Sequence, residues 1–242
     1  MEYYSDEQAA YHEKHDKAFV NKGVFQVYFY FALGIFWSGV IALGLPSLIA
    51  ATGGADAMDT YIGILIGSVI ALIILGWVAN LAVAAQHPAW IILCYILYAS
   101  AFGALMSGVA LTTGYDTLFY AFGITAGMFL LLSIIGYISK GRLNKWAYFA
   151  VSLVTALLVA AIFNIFLFGN YYLYWIVSYL MIFVFMLIAI VDTSRIMSAS
   201  ASGVLENNKA YAVYCAYRLY GDFMIILYYV AIFGARFLGS RR

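Results

Sequence analysis

Long apolar stretches separated by short polar connections dominate the chain. About 20 apolar residues suffice for a helix to cross a bilayer, and stretches of that length recur seven times, at 24–45, 60–85, 89–114, 118–139, 146–169, 171–191 and 210–238. None alternates between polar and apolar residues as a strand of a membrane barrel would. The pattern predicts an all-α integral membrane protein, with seven transmembrane helices over residues 23–242 and a polar N-terminal segment over residues 1–22.

Basic residues in the connections predict the orientation in the membrane. Lysines precede the first stretch, basic residues join the fourth and fifth stretches, and Arg195 and Lys209 bracket the connection between the sixth and seventh. The opposite connections contain no Lys or Arg. By the positive-inside rule the N-terminal segment is cytoplasmic. Two arginines at 241–242 oppose this rule for an odd number of spans, so a seventh stretch that enters the membrane and returns is the alternative.

Composition restricts the function classes. The chain is 66% hydrophobic and 10% charged, whereas a soluble domain carries roughly a quarter charged residues. We therefore expect a multi-pass protein of the cell membrane, embedded in the lipid bilayer. Without a basic stripe, no nucleic-acid partner is expected. The sequence has no nucleotide loop, metal-spaced His/Cys cluster or nucleophile–base arrangement, so neither enzymatic activity nor a cofactor is expected.

The cysteines and the N-terminal acidic residues do not indicate a further chemical site. Cys94 and Cys215 lie in apolar stretches, where they are expected to be small buried hydrophobic residues. The acidic residues Glu2, Asp6 and Glu7 argue against a cleaved signal peptide.

Two aspartates, Asp192 and Asp222, lie in or beside the last two apolar stretches. An ionised carboxylate in hydrocarbon costs several kcal/mol, so such residues commonly mark an ion or proton path. Helix rise from Tyr172 places Asp192 about 30 Å further along, near the cytoplasmic edge, and Asp222 on the order of 10 Å inside the same edge. Matched depth predicts that the two carboxylates can touch and share a proton. The pair is then a candidate gate and pH sensor, held together when protonated and repelled when not.

Two arginines offer an alternative interpretation of the aspartates. Arg195 follows Asp192 by three residues and Arg218 precedes Asp222 by four, and both spacings place the side chains on one helix face. Each aspartate would then only neutralise its local arginine.

Small residues suggest where helices approach each other. Gly63/Gly67 and Gly123/Gly127 match the small-xxx-small pattern of close helix packing. Ordinary glycines of membrane helices are the alternative.

Three short stretches resemble the Bax inhibitor-1 family, the transmembrane BAX inhibitor motif proteins, and a bacterial member in particular. They are Gly-Ile-Thr at 123–125 through Leu-Ser-Ile-Ile-Gly at 132–136, Ile-Val-Asp-Thr-Ser-Arg-Ile at 190–196 and Leu-Tyr-Gly-Asp-Phe at 219–223. The resemblance implies a seven-helix fold whose seventh helix is central and surrounded by the other six. It further implies a pH-sensitive calcium leak, gated by a di-aspartyl unit that corresponds here to Asp192 and Asp222, together with a role in stress tolerance.

One departure from the family pattern concerns an arginine. Family members can carry an arginine on the second helix, proposed to hold the aspartates, but Asp116 is the only charged residue between 60 and 139. Either Arg195 or Arg218 takes its place as a latch or charge partner, or the latch is missing.

Two functions of different classes follow. The first is a passive cation leak, in which Asp192 and Asp222 also bind calcium weakly, because carboxylate oxygens suit this ion but two of them are few. The second is a non-conducting membrane regulator that binds a membrane-bound ATP-dependent protease or other stress-related partners, as the resemblance implies for bacteria. A proton-coupled transporter is disfavoured, because the two prolines lie near stretch ends and give no sign of broken helices.

Overall fold

The chain folds into helices joined by short connections. The computed structural model describes residues 3–52, 54–84, 87–139, 143 and 146–239, and these residues contain no strand. The helices are α1 Tyr3–Thr52, α2 Ala57–Ala84, α3 Pro88–Thr113, α4 Tyr115–Ser139, α5 Trp146–Phe163, α6 Tyr171–Ala201, α7 Val204–Asn207 and α8 Lys209–Gly239. A 3₁₀ turn precedes α2, and the π-helical residues Asn164–Phe168 extend α5.

Six of these helices are long and apolar enough to cross a membrane. They are Lys22–Thr52 within α1, α2, α3, α4, α6 and Lys209–Arg236 within α8, whereas the apolar part of α5 is shorter. Large apolar side chains such as Trp77, Phe119 and Tyr148 are exposed on the outer faces, as expected where lipid takes the place of water. The predicted all-α, multi-pass architecture is therefore confirmed.

Two helix boundaries differ from those of the apolar stretches. The sixth stretch was predicted to end at residue 191, but α6 continues to Ala201. It passes through Asp192 without a break, and two arginine side chains pair with this carboxylate. At the other end of the chain, α1 runs without interruption across the predicted boundary between residues 22 and 23.

The connection before α6 is held by two asparagines. Asn164 donates from Nδ2 to the Asn170 carbonyl and accepts from the Asn170 backbone N–H, at 3.1 and 3.0 Å. The Asn170 side chain also accepts from the first backbone N–H groups of α6, which have no partner within the helix. Gly169 adopts a left-handed φ of 54° between them, a conformation that glycine takes without strain.

Helix α8 packs against α1, α2, α3, α4, α6 and α7. Its Phe223 contacts Phe31 of α1 and Phe122 and Phe129 of α4, with ring centroids 5.5–5.8 Å apart. One turn earlier, the rings of α3 surround Tyr220 at 5.5–6.1 Å, namely Tyr95, Tyr98 and Phe102. Aromatic contacts therefore fix α8 against three other membrane-spanning helices.

The close helix approaches occur at single glycines and not at the predicted pairs. Gly63, Gly67, Gly123 and Gly127 are exposed, and a Cβ built on each would meet none of the described residues within 4 Å. The prediction of close packing at these pairs is therefore wrong, because the pattern describes a smooth helix face but not whether a neighbour covers it.

Two close approaches to the backbone of a neighbouring helix lie on α3 and α4. A Cβ on Gly103 would lie 2.7 Å from the Ser38 carbonyl oxygen, and one on Gly136 would lie 2.7 Å from the Ile190 carbonyl oxygen. These positions bring α3 against α1 and α4 against α6.

Candidate functional site

The charged residues of α6 and α8 meet inside the protein. Arg218 on α8 donates from Nε to Oδ2 of Asp192 at 2.9 Å and from Nη2 to Oδ1 at 3.0 Å. Asp192 is buried, with 4% of its surface exposed, whereas the Arg218 side chain is 35% exposed. Two parallel bonds between a guanidinium and a carboxylate form the strong, directional type of ion pair. This pair joins the two helices.

Arg195 makes a weaker contact with the same carboxylate. Its Nη1 lies 3.4 Å from Asp192 Oδ1, and its side chain is 35% exposed. It therefore supplements the Arg218 pair from within α6. Local pairing, the alternative interpretation of the sequence, describes Arg195 but not Arg218, whose bonds run to the aspartate of the other helix.

Asp222 lies beside this ion pair but is bonded differently. It follows Arg218 by one helical turn and is 6% exposed. Among the residues that the structure describes, no hydrogen-bond partner meets its Oδ2. The Asp222 carboxyl group is close enough to interact with the Asp192 carboxyl group and with the Arg218 guanidinium. The structure thus brings Asp192, Asp222 and Arg218 together, with Arg195 at the margin.

A polar cavity opens beside the ion pair. Its volume is about 140 Å³, and it is lined by side chains of α6 and α8, namely Asp192, Arg195, Ile196, Tyr211, Tyr214, Cys215 and Arg218. Sequence reasoning did not identify Tyr211, Tyr214 and Cys215 as part of this site. The signal was available, because residues 211, 214, 215 and 218 have the i, i+3, i+4, i+7 spacing of one helix face.

Helices α2 and α3 each add a polar neighbour. The Tyr214 hydroxyl donates to Asn80 Oδ1 of α2 at 2.6 Å. On α3, the Tyr98 hydroxyl lies so close to Gly221 that a Cβ there would be 3.0 Å from it, and it also lies within electrostatic range of Asp222. No local sequence pattern marks Tyr98, because its position depends on how α3 packs on α8.

The site lies at the end of the bundle where α7 joins α6 to α8. Asp192 precedes the end of α6 by nine residues, and Arg218 follows the start of α8 by nine, which is about 14 Å along each helix. The described residues include no group of three or more His, Cys, Asp or Glu side chains that could hold a metal ion. A cation at the two aspartates would meet the Asp192 carboxylate, which is bonded to guanidinium groups, and the Asp222 carboxylate, which is not.

These features define a multi-pass helical membrane protein with a buried charged site between two of its helices. Residues 20–242 match the protein family described as "Inhibitor of apoptosis-promoting Bax1". The chain therefore belongs to the Bax inhibitor-1 family, as its motifs predicted.

Two bacterial relatives are similar over part of their length. An uncharacterized protein of Borreliella burgdorferi is 28% identical over 150 residues, which are 61% of this chain and 62% of that protein. The inner membrane protein YbhL of Escherichia coli is 26% identical over 176 residues, which are 71% of this chain and 75% of YbhL. The chain thus matches somewhat less than two thirds of the Borreliella protein.

Proposed function

We propose that the protein is a pH-sensitive cation leak of the bacterial inner membrane, with calcium as the conducted ion and Asp192 and Asp222 as the gate. The observation that carries this proposal is the two-point pair of Arg218 with Asp192. Asp222 lies beside it, and its Oδ2 has no hydrogen-bond partner among the described residues. Buried ionisable groups within membrane-spanning helices are functional candidates by default. The name of the relative YbhL, an inner membrane protein, supports the location.

The proposed topology has seven spans around α8, with a cytoplasmic N-terminus. Residues 146–168, comprising α5 and its π-helical extension, would supply the seventh span, because 23 residues reach about 30 Å. Just over half of the apolar stretch of α8 is buried, the largest share among the six long candidates, which supports a central position. The basic residues of the connections support the orientation.

In the proposed closed state, Arg218 replaces the arginine that other family members carry on the second helix. It neutralises Asp192, while the two aspartates carry one proton between them. Titratable groups from three helices face the pair, namely Arg195 on α6, Tyr211, Tyr214, Cys215 and Arg218 on α8 and Tyr98 on α3. As the pH rises, loss of the shared proton leaves two adjacent negative charges. Their repulsion separates α6 from α8 and opens the leak.

Calcium would bind at the gate only after Arg218 moves. Both oxygens of Asp192 accept from guanidinium groups in this arrangement, so they are not free for a cation. Once Arg218 has left, Asp192 and Asp222 together offer carboxylate oxygens, the ligand type that calcium prefers. Two carboxylates make a weak site, which suits an ion that must also leave.

Calcium flux into liposomes that contain only the purified protein tests this proposal. We expect flux above that of protein-free liposomes, increasing with pH and lost on replacement of the aspartates. Flux no greater than that of protein-free liposomes at every pH would contradict it. The second candidate, a non-conducting regulator of a membrane-bound protease or another partner, would then be favoured. The description of the family as an inhibitor of another protein supports that candidate.

A further inference from the structure

The cavity beside the ion pair has an unusual charge balance for the mouth of a cation path. Two arginines, Arg195 and Arg218, line it, whereas Asp192 is the one carboxylate among its lining residues. Asp222 is not among the lining residues, although its carboxyl group interacts with the Arg218 guanidinium. The walls therefore carry one more positive than negative charge, in a partly buried position where screening by salt is reduced.

The guanidinium groups also retain hydrogen-bond donors. Each guanidinium has five N–H donors in a fixed fork. Arg218 uses two of them on Asp192 and another on the Tyr214 hydroxyl, and Arg195 uses one, at the long distance of 3.4 Å. Both side chains are about one third exposed. Donors therefore remain that an incoming acceptor group can reach.

The residues that line the cavity indicate which kind of hydrogen-bond acceptor would bind there. Forked donors match the oxygens of a phosphate group in pairs, and arginine serves this purpose more effectively than lysine. A volume of about 140 Å³ equals that of roughly four or five water molecules, enough for one phosphate group. Tyr211, near the start of α8, lines the cavity as well.

We infer that this cavity binds a phosphate group between Arg195 and Arg218, supplied either by free phosphate or by the headgroup of an anionic lipid. Position allows both sources, because the cavity opens near the end of the bundle where α6 and α8 approach the interface. A bound phosphate would take up the unused guanidinium donors and compete with Asp192 for Arg218. Because this inference needs no ion conduction, a binding assay and a flux assay can fail separately.

The experiment measures thermal unfolding of the full chain in two arms. In detergent, inorganic phosphate is titrated against chloride at equal ionic strength. In nanodiscs, phosphatidylglycerol is compared with phosphatidylcholine. Binding to the folded protein raises Tm by mass action. Arg195→Gln should weaken apparent phosphate affinity at least about tenfold, or about 1.4 kcal/mol, because it removes charge-assisted hydrogen bonds. Arg195→Lys, which keeps the charge but not the fork, should retain part of it.

Arg236→Gln is the matched control. Its guanidinium packs on the rings of Trp175 and Tyr171, at the opposite end of α8, so its loss should leave the phosphate response unchanged. A response in only one arm supports the site and identifies the source of the phosphate. The inference is overturned if neither phosphate nor phosphatidylglycerol raises Tm, or if Arg195→Gln responds as strongly as the unmodified protein.

Discussion

Arg218 and Asp192 form a two-point ion pair across the α6–α8 contact, with bonds of 2.9 and 3.0 Å. Asp222 lies one turn from Arg218, yet its Oδ2 has no hydrogen-bond partner among the described residues. The two aspartates are therefore not equivalent. One is neutralised by a neighbouring helix, and the other is buried without equal compensation, so their mutants should differ in stability.

The first prediction concerns the relative importance of the two arginines. Arg218→Gln should lower the free energy of unfolding by about 2 kcal/mol, because it leaves the buried Asp192 carboxylate without its main partner. This figure is below that for fully buried pairs, since the Arg218 side chain is 35% exposed. Arg195→Gln should cost less than about 1 kcal/mol, as expected for a long, half-exposed contact. Thermal unfolding in detergent measures both.

Arg218→Gln also distinguishes a latch from an ion pair that only stabilises the fold. If Arg218 holds the gate closed, Arg218→Gln should increase calcium flux at low pH, where the unmodified protein leaks least. Arg236→Gln, at the far end of α8, serves as the control for a general loss of positive charge. Equal flux in Arg218→Gln and the unmodified protein at every pH would remove Arg218 from the gate.

The second prediction concerns helix spacing next to the site. Gly136→Ala should destabilise the protein by about 1–3 kcal/mol, because its Cβ would lie 2.6 Å from Thr193 Cβ and 2.7 Å from the Ile190 carbonyl oxygen. Neither of these atoms is the end of a flexible side chain. Gly127→Ala, on the same helix with nothing within 4 Å, should leave Tm unchanged or slightly higher. A similar Tm for the two variants would contradict the close approach of α4 to α6.

Hydrophobic patterning predicted the helices well because length and apolar content suffice to identify membrane-spanning segments. It also identified Asp192 and Asp222, since a carboxylate in an apolar stretch is conspicuous. It failed where a second helix decides the outcome. The small-xxx-small motif describes one helix face only, and none of the described residues lies within 4 Å of a Cβ built on the exposed Gly63 or Gly123.

The pairing of charges shows the same limit. Sequence spacing could propose Arg218 as a partner of Asp222, four residues away, but not that its bonds run to Asp192 on α6. That choice depends on how α8 is rotated against α6. Tyr98 is a stronger case, because its approach to Gly221 depends on the packing of α3. Tyr211, Tyr214 and Cys215, by contrast, could have been found from their helical spacing with Arg218.

The third prediction concerns Glu206 on the short helix α7, outside the membrane-spanning segments. Burial raises the pKa of the Glu206 carboxyl group, and the Gly23 backbone and the Lys22 ammonium offset part of this effect. A carboxyl group with a raised pKa in the folded state destabilises the protein as the pH rises through that pKa. Glu206→Gln should therefore raise Tm at pH 8, and the difference should vanish below the ordinary carboxyl pKa of 4.5.

Asp116→Asn provides the control for Glu206, because it removes an exposed carboxylate from α4. It should leave the pH dependence of Tm close to that of the unmodified protein. A Tm difference for Glu206→Gln that stays constant across the pH range would contradict an effect of ionisation.

The last prediction concerns the aspartates themselves. Asp192→Asn should lower the stability by about 2 kcal/mol, since it leaves the Arg218 guanidinium without its carboxylate. Asp222→Asn should leave Tm unchanged or raise it, because it removes a buried carboxyl group that lacks a partner for Oδ2. Both should flatten the pH dependence of calcium flux, as an amide does not titrate and the shared proton is lost. The double mutant should add little to the stronger single, because the two residues act as one unit. Stability and flux therefore test different statements. Equal Tm changes in the two single mutants would contradict the asymmetry of the ion pair. An unchanged pH dependence of flux in both would remove the aspartates from the gate and leave the non-conducting regulator as the better candidate.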